Sequence, residues 1–78
     1  MARQFNASDA DKTVFASDGT KIGTIETIKG GTAHVKPHRQ LSQSMRRKLG
    51  WEGDEEVFEL RSSHVQTYDD EGVHLKKL

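Results

Sequence analysis

Two stretches of this chain spell the same short pattern forty residues apart. Residues 25–35, IETIKGGTAHV, and residues 65–75, VQTYDDEGVHL, each read as two strands joined by a turn, glycine-centred in the first copy and acidic in the second. Ile25, Ile28, Ala33 and Val35 in the first answer to Val65, Tyr68, Val73 and Leu75 in the second, Thr27 answers to Thr67, and His34 to His74. A hairpin with one apolar face has to lay that face on something. Two of them in one small chain predict that each covers the other around a shared centre.

The flanking residues supply further strands. Asp18-Gly19, inside VFASDGTKIGTIETI, is the strongest short-range hairpin signal because both central residues must accept positive φ. It predicts a hairpin of residues 13–16 with 21–28. Ile22, Ile25 and Ile28 stand three apart, a helical spacing, whereas Gly23, the threonines and the isoleucines argue for a strand. A β-bulge or sharp coil near Gly23 reconciles the two, letting Ile22 and Ile25 face one side. Lys29-Gly30-Gly31 turns the chain into a strand over 32–35, which Pro37 ends because it has no N–H to donate. Before all of this, residues 1–12 form a polar lead-in whose Phe5 pins it to the body, with Ser8, Asp9 and Asp11 favouring turns.

Residues 40–50, QLSQSMRRKLG, change the period. Leu41, Met45 and Leu49 recur every four residues and Gly50 offers the left-handed residue that closes a helix, so one short amphipathic helix is predicted. Arg46, Arg47 and Lys48 sit near its C-terminal end, where positive charge suits the helix dipole. Trp51 follows and folds back to anchor the helix. Residues 55–60, EEVFEL, give a fourth strand, and the second hairpin, 65–67 with 72–75, supplies the last two. The expected fold is mainly β, a small closed or partly open six-stranded barrel in the order β-β-β-α-β-β-β. Its halves are two three-stranded units, with Val14-Phe15 and Val57-Phe58 extending the match at an offset of forty-three.

At 78 residues the chain makes one domain with a thin core, because so short a chain buries only about 60–65% of its unfolded surface. It carries no cysteine, which removes disulfides and thiolate chemistry and fits a cytoplasmic setting. No apolar run reaches the length of a spanning helix, and no signal peptide opens the chain, so direct membrane insertion is not expected. The 12 basic and 12 acidic residues cancel, but unevenly along the sequence. Between 36 and 48 every charge is basic (Lys36, Arg39, Arg46, Arg47, Lys48), and between 52 and 59 every charge is acidic (Glu52, Asp54, Glu55, Glu56, Glu59). Adjoining patches of opposite sign can complement a second copy or pair within the fold.

Reaction chemistry finds no foothold in these residues. His34, His38, His64 and His74 have no carboxylate at a recognisable metal-motif spacing, so no metal site is expected. No serine sits in a nucleophile elbow, the paired carboxylates Glu55-Glu56 and Asp69-Asp70 fall in polar runs, and Gly30-Gly31 joins strands without opening a helix over a phosphate. The reading is a non-enzyme with no catalytic residues, no cofactor and no small-molecule substrate. Single-stranded nucleic acid is the rival ligand, since small barrels bind it on aromatic platforms beside a basic groove. Here the basic stretch has no interleaved aromatic residue.

Residues 12–35, KTVFASDGTKIGTIETIKGGTAHV, resemble the opening of the PRC-barrel family: a polar turn, a strand at Thr13-Val14, then Asp18-Gly19 and Ile22-Gly23-Thr24-Ile25. LSQSMRRKLGW followed by acidic residues, then VFEL, SSHV and GVHL, is similar to its compact archaeal branch. The resemblance implies a single PRC-barrel domain over 13–78. It also implies adaptor work in FtsZ-based archaeal cell division, with SepF bound directly or through a paralogous PRC-barrel protein. A homodimer or heterodimer and recruitment to the division site go with it. RNA maturation is the family's alternative role. Interaction residues are expected where the helix exceeds what one small barrel covers: Leu41, Met45, Arg46, Leu49 and Trp51.

Overall fold

The turn at Asp18-Gly19 forms as its residue types dictate. Gly19 takes φ 90°, the Asp18 carboxylate accepts the Thr20 N–H at 2.9 Å, and β1 (Thr13–Phe15) returns antiparallel as β2 (Lys21–Lys29). This architecture comes from a computed structural model that describes residues 4–51, 53 and 55–77.

Strand β2 carries two bulges. Val14 opposes Gly23 while Phe15 opposes Lys21, so Ile22 is an extra residue; Ile25 opposes Val35 while Thr27 opposes His34, so Glu26 is another. Each extra residue resets the two-residue alternation. Ile22 and Ile25 are consequently both fully buried, and Ile28 packs against the same core. The expected irregularity near Gly23 is present, and a second one at Glu26 completes the three-residue spacing. Gly23 is needed where it stands, since a Cβ there would lie 2.3 Å from the Lys36 carbonyl oxygen.

Gly30 and Gly31 both hold positive φ, closing the tight turn into β3 (Thr32–Pro37). That strand runs two residues past the expected end at Val35, with Pro37 as its last member opposite Gly23. Helix α1 (Gln43–Leu49) begins at Ser42, whose hydroxyl accepts the Met45 N–H at 3.2 Å, and ends at Gly50, whose φ of 75° lets its N–H reach the Arg46 and Arg47 carbonyls. Leu41 lies just before the helix. The remaining strands are β4 (Phe58–Leu60), β5 (Val65–Tyr68) and β6 (Gly72–Leu75), with single 3-10 turns at Ala7–Asp9 and Ser62–His64. Glu55, Glu56 and Val57, expected within the fourth strand, precede it.

All six strands form one sheet in the order β4-β3-β2-β1-β6-β5, curled into a half-barrel. Its concave side holds Phe5, Val14, Ile22, Ile25, Val35, Trp51, Phe58, Leu60, Val65, Val73 and Leu75.

The sequence repeat is a repeat of register. In the second hairpin Val65 opposes Leu75, Thr67 opposes His74 and Tyr68 opposes Val73, with Gln66 the extra residue. In the first, Ile25 opposes Val35, Thr27 opposes His34 and Ile28 opposes Ala33, with Glu26 the extra residue. The two patterns coincide when one is moved forty positions, bulge included. Equivalence stops at the hairpins, and the expectation of two three-stranded units is corrected accordingly. The edge of β3 takes β4 antiparallel, whereas the matching edge of β6 takes β1 in parallel, through Thr13–Gly72, Val14–Val73 and Phe15–His74. The tight Asp-Gly turn forces β1 to run against β2, while β4 reaches β3 by way of the helix, so their directions need not match. The offset of forty-three fails for a related reason: Val14 is buried with Phe15 facing out, but Phe58 is buried with Val57 outside its strand.

Residues ahead of β1 are tied to the body. Phe5 is buried and meets the Tyr68 ring edge-on at 5.5 Å. Asp9 is fully buried; its carboxylate accepts the Asn6 N–H at 3.0 Å and pairs with the Lys12 ammonium at 3.1 Å, while Asn6 caps the Ala7–Asp9 turn in return. Asp11 and Lys12 then bond Ile25 through N–H to carbonyl contacts of 2.7 and 2.9 Å, so pairing with β2 starts before β1 itself.

Candidate interaction surface

Helix α1 lies at the margin of the core. None of its residues is fully buried, and Leu41, Met45 and Leu49 are each half-buried against the core cluster, leaving apolar surface open on that side. What holds the helix down is its C-terminal end. Trp51, only 2% exposed, stacks on Phe58 at 5.6 Å and donates its Nε1–H to the Glu59 carbonyl at 3.1 Å. That bond also occupies an acceptor on β4, an outermost strand of the sheet.

Arg46 works at the same place. Its Nε donates to the Trp51 carbonyl at 3.4 Å, its Nη2 to the Gly53 carbonyl at 3.3 Å, and its guanidinium lies 5.4 Å from the Phe58 ring centroid. Of the residues expected to bind a partner, Arg46 and Trp51 are thus brought together as a clamp on the segment following the helix. Leu41, Met45 and Leu49 supply the half-covered stripe.

Beside the clamp is an open depression of about 290 Å³ lined by Lys36, Pro37, His38, Arg39, Arg46, Glu55 and Glu56. The basic and acidic stretches therefore meet on one face, although Glu52 and Asp54 of the acidic run lie outside the described residues. At the helix end, Lys48 is close enough for its charge to act on Asp18. The Asp18 carboxyl sits below the usual aspartate range, chiefly through the Thr20 hydroxyl and N–H, with Lys48 the smallest contributor.

The histidines are dispersed. His34 opposes Thr27 on β2 and Glu59 on β4; His38 accepts the Gln40 N–H at Nδ1, 3.2 Å away; His64 is exposed in the Ser62–His64 turn. Among the described residues no three His, Asp or Glu side chains gather closely enough to hold a metal ion.

His74 is packed against neighbouring side chains. Its ring stacks on Phe15 at 5.1 Å across the β1–β6 pairing, and its buried Nε2 lies 2.8 Å from Asp69 Oδ2. The contact is close but off the hydrogen-bonding direction, and it is an ion pair only when His74 is protonated. Asp69 is held below the usual aspartate range: partial burial pushes its carboxyl up, and the N–H groups of Gly72 and Glu71, with His74 beside them, more than offset that. Read from the sequence, Asp69 is half of a paired carboxylate in a polar run, and its contacts with His74 and with its own turn were missed. The available signal was Asp69 three residues before Gly72, an aspartate placed to accept N–H groups from its own turn.

Residues 5–75 match the model of a family described as a family of unknown function, DUF8593. No curated protein matches the chain. Among the described residues no helix is long and apolar enough to cross a membrane.

Proposed function

The chain belongs to DUF8593, a family of unknown function, and from that premise we propose that it is a non-enzymatic protein-interaction adaptor. The observation that carries the reading is the apolar stripe of Leu41, Met45 and Leu49, half-covered and set beside a side-chain clamp that fixes its position. A half-covered stripe of this kind has apolar area left to bury against a protein partner.

The strand order β-β-β-α-β-β-β and the motif order support the finer reading of a PRC-barrel module. That resemblance supplies the partner to try first: SepF, met directly or through a paralogous PRC-barrel protein at an FtsZ-based division site. The test is calorimetric titration of the chain with SepF and with such paralogues at rising salt, alongside Leu41→Asp/Leu49→Asp. Binding that survives moderate salt and vanishes in the variant supports the adaptor; no binding to any of these proteins refutes the division role. The second reading, an RNA-associated factor, draws on exposed Lys36, Arg39, Arg47 and Lys48. It requires binding to single-stranded RNA that falls steeply with salt and is lost on reversing those charges.

A further inference from the structure

The depression beside the Arg46 clamp carries both signs of charge in one patch. Lys36 comes from β3, Arg39 from the turn after it and Arg46 from α1, whereas Glu55 and Glu56 come from the segment before β4. Nearness has not paired them. Among the described residues, Lys36, Arg39, Glu55 and Glu56 form no ion pair, the close contacts of opposite charge there being Lys12–Asp9 and, when His74 is protonated, His74–Asp69. Arg46 is already spoken for by the Trp51 and Gly53 carbonyls and the Phe58 ring, so it is a fixed positive wall and not a flexible one.

Such a patch selects its occupant by sign. A polyanion would meet Glu55 and Glu56 as well as the cations, and an acidic peptide would be repelled by the same two carboxylates. A partner carrying the same mixed arrangement, turned by a two-fold rotation, sets each copy's Glu55 and Glu56 against the other's Lys36 and Arg39. We infer that this face is an isologous interface between two copies of the chain, with Lys36 and Arg39 of each facing Glu55 and Glu56 of the other. The inference deepens the adaptor reading by giving the module its own copy as a first partner. It uses a different surface from the helix stripe, so the two can fail separately.

The experiment is analytical ultracentrifugation of the full chain across a concentration series, with three variants whose changed side chains are exposed or line the open depression. Lys36→Glu/Arg39→Glu makes the face acidic and Glu55→Lys/Glu56→Lys makes it basic. Each alone weakens self-association by about tenfold or more, because like charges then face each other across the two-fold. Mixing the two restores a complex, now a heterodimer, and the chain bearing all four substitutions regains the homodimer. Far-UV circular dichroism confirms that each variant is folded. A wild-type chain that stays monomeric at high micromolar concentration overturns the inference, as does a dimer insensitive to both reversals or one that the mixture fails to restore. Retained SepF binding by a monomeric chain would leave the adaptor reading standing without this interface.

Discussion

Replacing Gly72 with alanine puts a methyl group 2.1 Å from the Thr13 carbonyl oxygen and 3.1 Å from Phe15 Cε2. Ordinary contact begins at 3.4 Å, and the nearer atom is backbone, so β1 itself must retreat from β6. The pairing at stake is the one that joins the two hairpins, Thr13–Gly72, Val14–Val73 and Phe15–His74. Losing two of its ladder hydrogen bonds at about 1 kcal/mol each, and forcing atoms into a filled site at about 1–3 kcal/mol, gives about 3–5 kcal/mol in all. A chain of 78 residues has about 4–12 kcal/mol to lose. Gly72→Ala should therefore remove a large share of the stability and lower Tm by at least about 12 °C. Trp51, the single tryptophan, is buried and stacked on Phe58, so its fluorescence reports the transition in urea. Gly19→Ala is the control: its Cβ meets nothing within 4 Å, and its φ of 90° limits the cost to about 1–2 kcal/mol of left-handed strain. If Gly72→Ala proves no more harmful than Gly19→Ala, the close β1–β6 approach described above is wrong.

Further expectations concern the core, the helix anchor and the second turn. Ile25→Ala, at a fully buried position, should cost about 2–5 kcal/mol in urea unfolding; Ile28→Ala, at a half-covered one, should cost clearly less. Trp51→Phe keeps an aromatic ring on Phe58 but leaves the Glu59 carbonyl without its donor. It should lose about 1–3 kcal/mol, read by circular dichroism, with hydrogen exchange in α1 accelerating more than in β2. For Asp69 the sign follows from a lowered folded-state value: the ionised carboxylate stabilises the fold at neutral pH, and that contribution disappears as pH falls from the usual aspartate value of 3.8 through the lower folded one. Asp69→Asn should accordingly flatten the acid limb of a stability-against-pH curve; an unchanged limb would count against the His74 and turn contacts as its cause.

The legible part of this fold was whatever local residue order controls. The Asp18-Gly19 turn, the capped helix ending at Gly50, and the paired hairpins could all be read because turn chemistry and alternation act over a few residues. The helical spacing of Ile22, Ile25 and Ile28 became intelligible once a bulge was allowed, although two were needed. Non-local choices left no such mark. Nothing near Val14 announces that it will lie beside Val73, in parallel, and this choice turns Phe15 outward onto His74. Asp9 looked like a turn former, and its burial depends on Asn6 and Lys12 closing around it, with Asn6-x-x-Asp9 the overlooked capping signal. Likewise Arg46 read as a helix-end cation open to a partner. Its grip on the Trp51 and Gly53 carbonyls depends on how the chain doubles back after Gly50.

Two hairpins of one register, bridged by β1 around a shared core, are the basis of everything proposed for the surface. A nitrogen-15-edited NOE spectrum tests that most directly. Cross-strand contacts should link Thr27 with His34 and Thr67 with His74 in the same pattern, skipping Glu26 and Gln66 alike, and Val14 should contact Val73. A second hairpin paired in another register, or a Val14 with no contact to Val73, would contradict it.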